Sequence, residues 1–458
     1  MFVRRIVSTC KVNACRTHRP NVIGKYFNYL PTPKYFVLPY FLFAFYLIVF
    51  GWFLLKVPFI KNAGLDSKLV LSLFFCQVIA GIAIGWLSLH YYSSANDYWD
   101  VNREGWKEYQ LLRTDPREYF TDLFRSDYPN GYAGLFDSFQ SFWNDLRNNL
   151  VIKLVSVFDI FTAGNYYVNS LFFNFLVFFG HIALYRVFIK IYADRSLLII
   201  IGCFLLPSTL YFTSGIHRDG IVFLFLALLL YVVFYTLYEK RLTIKRIMVF
   251  ILALLMLFLT RNFVLLALLP ALVAWVLSAR MKWPAIPVFI SIYVVAGSLL
   301  FNSHLLHFPD PLETITKKQS DFRQLQHSAT DIHLDILYPN FSSFIRNLPQ
   351  ALDHSILRPC LVELPSPILL PMNIELFIYE LLFLTLLFCR RKKITSKQEP
   401  FITCNLFFTL TMLLFIGYIV PNLGSLVRYR SLYLPLVITP LLCAIDWDCV
   451  KGLVKIKK

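Results

Sequence analysis

Four short polar motifs, each at the edge of an apolar run, hold the residue types most able to do chemistry in this chain. The first is Asn96-Asp97-Tyr98-Trp99-Asp100, directly after a hydrophobic segment. A carboxylate at a low-dielectric boundary has a raised proton affinity, so Asp97, with Asp100 second, is a candidate general base toward an acceptor hydroxyl. The alternative is a helix N-terminus with solvated charges. The second motif, Ser214-Gly215-Ile216-His217-Arg218-Asp219-Gly220, opens the next apolar helix. Free backbone N–H groups and the permanent charge of Arg218 suit an anion seat there, unless Arg218 is only half of a local pair with Asp219.

The third motif is Arg261 with Asn262 between two strongly apolar stretches, and the fourth is Arg428-Tyr429-Arg430 at the start of another. Snorkelling accounts for either one alone. Three separated arginine sites on one face point instead to a phosphate or pyrophosphate ligand. Arg358 in LRPCLVELP and Glu375 in MNIELFIYELLF complete the candidates. Glu375 and Glu380 do not share a helical face, and Glu375 is equally suited to pairing with a neighbouring arginine.

The elements that must position these residues are membrane helices. The chain has 458 residues, of which 57% are hydrophobic and only 16% charged, with mean hydropathy +0.60. Soluble domains carry about 25% charged residues, so the composition predicts an all-α polytopic transmembrane bundle. Eleven apolar windows are near the length needed to cross a bilayer. They lie at 36–57, 68–91, 166–191, 196–213, 220–238, 245–260, 263–280, 284–302, 371–389, 402–420 and 431–447. A twelfth, 148–163, is short and interrupted by Lys153 and Asp159, and reads better as an interfacial amphipathic helix. The organisation is then a basic tail (1–34), a bundle (35–302) containing an amphipathic loop (92–164), a long loop (303–370), C-terminal spans (371–447) and a basic tail (448–458).

Charge supplies the orientation. The net charge is +17, but the cations cluster in short loops beside spans: Arg186 to Arg195, EKRLTIKR, ARMKW, CRRKKITSKQ and the KIKK end. That pattern marks the cytoplasmic side of a membrane protein and gives no reason to expect nucleic acid. The four motifs and the loop 303–370 fall on the opposite side. Residues 91–147 form an acidic island there, with ten Asp and Glu against six Lys and Arg. Most of these charges read as the solvated faces of amphipathic helices. Placing the island outside with an odd number of spans puts the basic N-terminus outside too, which its charge opposes.

Other chemistries lack their parts. The sequence has no phosphate-loop, HExxH, GxSxG or dinucleotide-binding glycine pattern. The histidines outside the second motif have no ligand spacing, so no cofactor is expected, and a divalent metal stays open without a motif to support it. The cysteines form no CxxC pair, and Cys76, Cys203, Cys389, Cys404 and Cys443 sit in apolar runs as small hydrophobes.

The succession YYxxxNDYWD, LPSxLYFxSGIHRDG, an LxRN helix break, LRPxxxELP, MNIE and GSLVRYRSLYLP resembles bacterial membrane glycosyltransferases and polysaccharide polymerases, and more broadly the GT-C superfamily, over residues 68–447. The resemblance implies a multi-pass enzyme of the bacterial inner membrane that acts in cell-envelope polysaccharide biosynthesis. Its donor would be a sugar on polyprenyl phosphate or pyrophosphate, and its acceptor a glycan or lipid. An acidic residue of the first outer loop would act as base, here Asp97 with Asp100 second, and His217 would assist protonation. Arg218, Arg261, Arg428 and Arg430 would hold the lipid phosphate, with Asp219, Glu375 and Arg358 beside them. Asn96 stands where family members often carry a second acid. An O-antigen-type polymerase or ligase, a transporter or flippase of lipid-linked saccharides, and an assembly scaffold are the competing expectations.

Overall fold

The computed structural model describes residues 37–91, 96–124, 131–132, 141–303, 310–324, 330–360, 369–391 and 399–455. The basic tail 1–34, Asp127, Asp137 and most of the KIKK end lie outside the described residues. The principal helices are α1 (Leu38–Lys56), α2 (Ser67–Tyr91), α3 (Asp97–Thr114), α4 (Phe142–Thr162), α5 (Tyr166–Ile191), α6 (Ser196–Phe204), α7 (Pro207–Ser214), α8 (Arg218–Glu239) and α9 (Ile244–Met281). They are followed by α10 (Ala285–Phe301), α11 (Pro311–Gln324), α12 (Phe341–Leu352), α13 (Leu370–Phe388), α14 (Glu399–Ile419), α15 (Leu423–Ser431), α16 (Leu434–Ala444) and α17 (Trp447–Lys455). No strand occurs among the described residues. The chain is an all-α, multi-pass membrane bundle.

Length and apolarity alone qualify seven helices as crossings, or nine if the bent pairs α6–α7 and α15–α16 each count as one. Contacts argue for two more. The 38-residue α9 is broken at Arg261, whose φ of −149° and ψ of 79° are not helical. Near its start Arg246 donates to the Tyr235 carbonyl, while near its end Trp275 packs on Phe401, which also touches Phe234. A straight helix would hold Arg246 and Trp275 about 43 Å apart, so α9 folds back at Arg261 into two limbs. The other addition is α10. Its Phe289 packs on Phe407 and its Phe301 on Phe344, which in turn meets Tyr418 at the far end of α14. Eleven apolar segments thus link two faces.

One face gathers the basic loops. Arg186 donates to the Phe59 carbonyl, Arg391 pairs with Asp194, and Cys389 is joined to Cys449 by a disulfide. Cys389 is buried, as the reading of it as a small hydrophobe expects, but it is also bridged: residues 60 apart in sequence meet where α13 and α17 end and begin. The other face gathers the four motifs. α1 runs alongside α5 in the same direction, Tyr46 meeting Phe172 and Phe53 meeting Phe175, so the chain enters α1 from the motif face.

Both ends of the segment 148–163 lie on that face as well. Asn148 accepts from Arg218, and the Gly164 carbonyl accepts from Asn102, just past Asp97. The segment 148–163 therefore lies on the bundle without crossing it. Its interruptions face α3. Lys153 is held by Glu108 at 2.5 Å and Asp122 at 2.7 Å, and Asp159 accepts from Asn169 at 2.6 Å. Of the acidic island, Glu108 and Asp122 are thus engaged in packing, whereas Asp97 and Asp115 are exposed. Burial raises the proton affinity of Glu108 and lifts Asp159 to about 6.

Candidate functional site

The site is assembled around the first turn of α3. Asn96 caps this helix, its Oδ1 accepting from the Trp99 N–H. Trp99 anchors the turn to the bundle by donating to the Gly85 carbonyl at 3.0 Å and stacking on Tyr166. Tyr98 is pressed against the turn 214–217. A Cβ on Gly215 would stand 2.5 Å from the Tyr98 ring, so that approach requires glycine. The remaining pieces are the N-terminus of α8, the fold in α9 and the arginine turn of α15.

Asp219, wholly buried, is the centre. Its Oδ1 accepts from Arg261 Nη2 and its Oδ2 from Arg428 Nε at 2.6 Å. Arg428 also donates from Nη1 to Asp97 at 3.3 Å and from Nη2 to His217 at 2.7 Å. One histidine tautomer satisfies these partners: Nδ1–H donating to Asp219 Oδ2 at 3.0 Å, and Nε2 accepting from Arg428. Burial, then the Arg428 charge, pushes His217 down to about 4, which keeps the ring neutral. With both nitrogens engaged, His217 positions Arg428, so the expected role in protonation does not fit its geometry. Asp97 sits on the open side of the cluster, its side chain 54% exposed.

Arg261 connects this cluster to a cavity of about 220 Å³. The cations lining it are Arg147, Arg218, Arg261 and Lys318, with Asp321 the one acidic side chain lining it among the described residues. Phe263, Met412, Phe415 and Ile416 supply apolar lining. Arg261 Nη1 and Arg147 Nε are buried and make no hydrogen bond. Arg218 donates to the neutral Asn148 at 3.0 Å, so the local pair with Asp219 does not form. Burial and the charges of Arg218 and Arg261 pull Arg147 down to about 9. Burial, then the Arg147 charge, also lowers Lys318. Cations crowded in this way favour an anionic ligand.

The structure therefore brings together Asp97, His217, Arg218, Asp219, Arg261 and Arg428. Arg218 and Arg261 line the cavity, whereas Asp97 and Arg428 stand beside it. Four candidates lie apart. Asp100 pairs with Arg103 at 2.8 Å on the surface of α3. Glu375 accepts from the Ser208 N–H and hydroxyl at 2.9 and 3.0 Å and from the Tyr379 hydroxyl. Arg430 donates to the Ser355 and Arg358 carbonyls, and Arg358 pairs with Asp353 at 2.9 Å. These contacts join α13 to α7 and α15 to the end of α12.

Arg147 and Lys318 are absent from the sequence candidates. Each lies in an already charged amphipathic segment, NDLRNNL and ETITKKQSDF, where nothing distinguishes a cavity-lining cation from a solvated one. Among the described residues, no group of three or more His, Cys, Asp or Glu could hold a metal ion. No family model matches the chain, and no curated protein or solved structure resembles it.

Proposed function

We propose that this protein is an integral membrane glycosyltransferase that takes a sugar from a polyprenyl phosphate or diphosphate carrier. The observation that carries this reading is the cavity, where Arg147, Arg218, Arg261 and Lys318 share the lining with apolar side chains and the half-exposed Asp97 is joined to it through Arg428 and Asp219. Such a site suits an anionic head group attached to a greasy tail. The basic loops mark the other face as cytoplasmic, so transfer takes place on the outer side of a bacterial inner membrane, in cell-surface polysaccharide assembly.

In the reaction, an acceptor hydroxyl oxygen bonds to the anomeric carbon of the donor sugar. The bond from that carbon to the phosphate oxygen breaks, and the phosphate leaves with the electron pair. The Asp97 carboxylate takes the hydroxyl proton. Arg218 and Arg261 stabilise the charge that grows on the leaving phosphate, an effect strengthened by their fixed, poorly solvated positions. Arg428 links the base to the phosphate seat through Asp219, with His217 fixing its fork.

Asp97→Asn tests the assignment because it removes the base and retains the size. Purified variant should still bind a polyprenyl-linked sugar but lose its turnover by about 100-fold or more, the contribution of a positioned base. Turnover at the wild-type rate would refute the role of Asp97.

A further inference from the structure

The cavity's charge balance narrows the class of its ligand, an inference that rests on the reading of the site as a lipid-phosphate seat. Arg261 is already neutralised by buried Asp219. Arg147, Arg218 and Lys318 remain, against Asp321 alone, and none of the three cations has a salt bridge among the described residues. The excess is three minus one, or two positive charges. A lipid phosphate esterified to a sugar carries one negative charge, whereas a diphosphate carrying both a lipid and a sugar has two.

The donors are also spread widely. Arg218 and Arg261 come from the bundle, Arg147 from interfacial α4 and Lys318 from α11 in the long loop. Seating one phosphoryl group on the bundle arginines leaves Arg147 and Lys318 to meet a second. Phe263, Met412 and Phe415 give the adjoining carbon chain an apolar surface. We infer that the cavity holds a prenyl diphosphate, with Arg147 and Lys318 recognising the phosphoryl group that a monophosphate carrier lacks.

Binding can be measured on the purified full chain by intrinsic fluorescence, with geranylgeranyl diphosphate, geranylgeranyl monophosphate and inorganic diphosphate as probes. The prenyl diphosphate should bind at least about tenfold more tightly than either of the others, as expected for one additional charge-assisted contact and for the apolar lining. In Arg147→Gln/Lys318→Gln, and separately in Lys318→Gln on the outer helix, the preference for diphosphate over monophosphate should shrink toward unity. Equal binding of the two prenyl probes by the wild type would overturn the inference. So would a preference that survives in variants whose melting temperature is unchanged. Inorganic diphosphate binding as tightly as the prenyl form would show a free-anion site and overturn the lipid assignment. These outcomes come from binding alone, whereas the glycosyltransferase reading stands or falls on Asp97-dependent turnover.

Discussion

Two buried carboxylates at the motif face, Asp219 and Glu375, have opposite surroundings. Asp219 is shared by two arginines and a histidine whose other donors reach toward Asp97 and the cavity. Glu375 accepts from Ser208 on α7 and from Tyr379 one turn along its own helix, and the charge of buried Arg430 also acts on it. A charge within a membrane bundle is expensive and therefore informative, but its cost can be met by structure or by function. Surplus marks the functional case. Around Asp219 there are more cations than anions and donors without partners, whereas around Glu375 the donors and acceptors close on themselves.

The largest effect that would sharpen this contrast is expected from Asp219→Asn. Removing the charge leaves Arg261 and Arg428 buried against a neutral amide, a loss of about 3–5 kcal/mol for a broken buried pair. Thermal unfolding in detergent should show a large drop, with turnover abolished. Glu375→Gln keeps one acceptor oxygen and sets its amide NH2 against a Ser208 donor, so it should lose about 1–3 kcal/mol with turnover retained. A Glu375→Gln protein that melts normally but has no activity would break the comparison. Arg428→Lys comes next. A lysine cannot span Asp97, His217 and Asp219 together, so turnover should fall by more than tenfold while prenyl diphosphate affinity falls less. Equal losses in both would place Arg428 in the phosphate seat.

The last effect, read as a pH dependence, concerns Asp159 near the site. Its folded-state proton affinity corresponds to about 6, above the ordinary carboxylate value of 3.8, because of burial. The folded state therefore binds the proton more tightly, and stability falls as pH rises from about 4 to about 6, by about 2–3 kcal/mol if fully expressed. Asp159→Asn should flatten the melting temperature over that interval. An unchanged slope would remove Asp159 as the source.

The bundle was legible in the sequence because bilayer thickness imposes a length on each apolar run. The apolar runs recur as helices, seven long enough to cross by themselves and nine with the bent pairs, while the segment holding Lys153 and Asp159 is not among them. Length alone undercounts where Arg261 folds one helix into two limbs. The ionisable motifs at span edges gave Asp97, His217, Arg218, Asp219, Arg261 and Arg428, since such residues are rare in apolar sequence. Their pairing was not legible, because Arg428 meets Asp219 across 209 residues and Asp97 across 331. Arg147 and Lys318 were hidden for the opposite reason, lying where charge is ordinary.

An odd number of segments linking the faces has a practical consequence. A reporter placed just before α1 and another just after α16 would occupy opposite compartments of the same molecule. A pair of fluorophores or protease sites at those points would report insertion and orientation internally, each serving as the other's control.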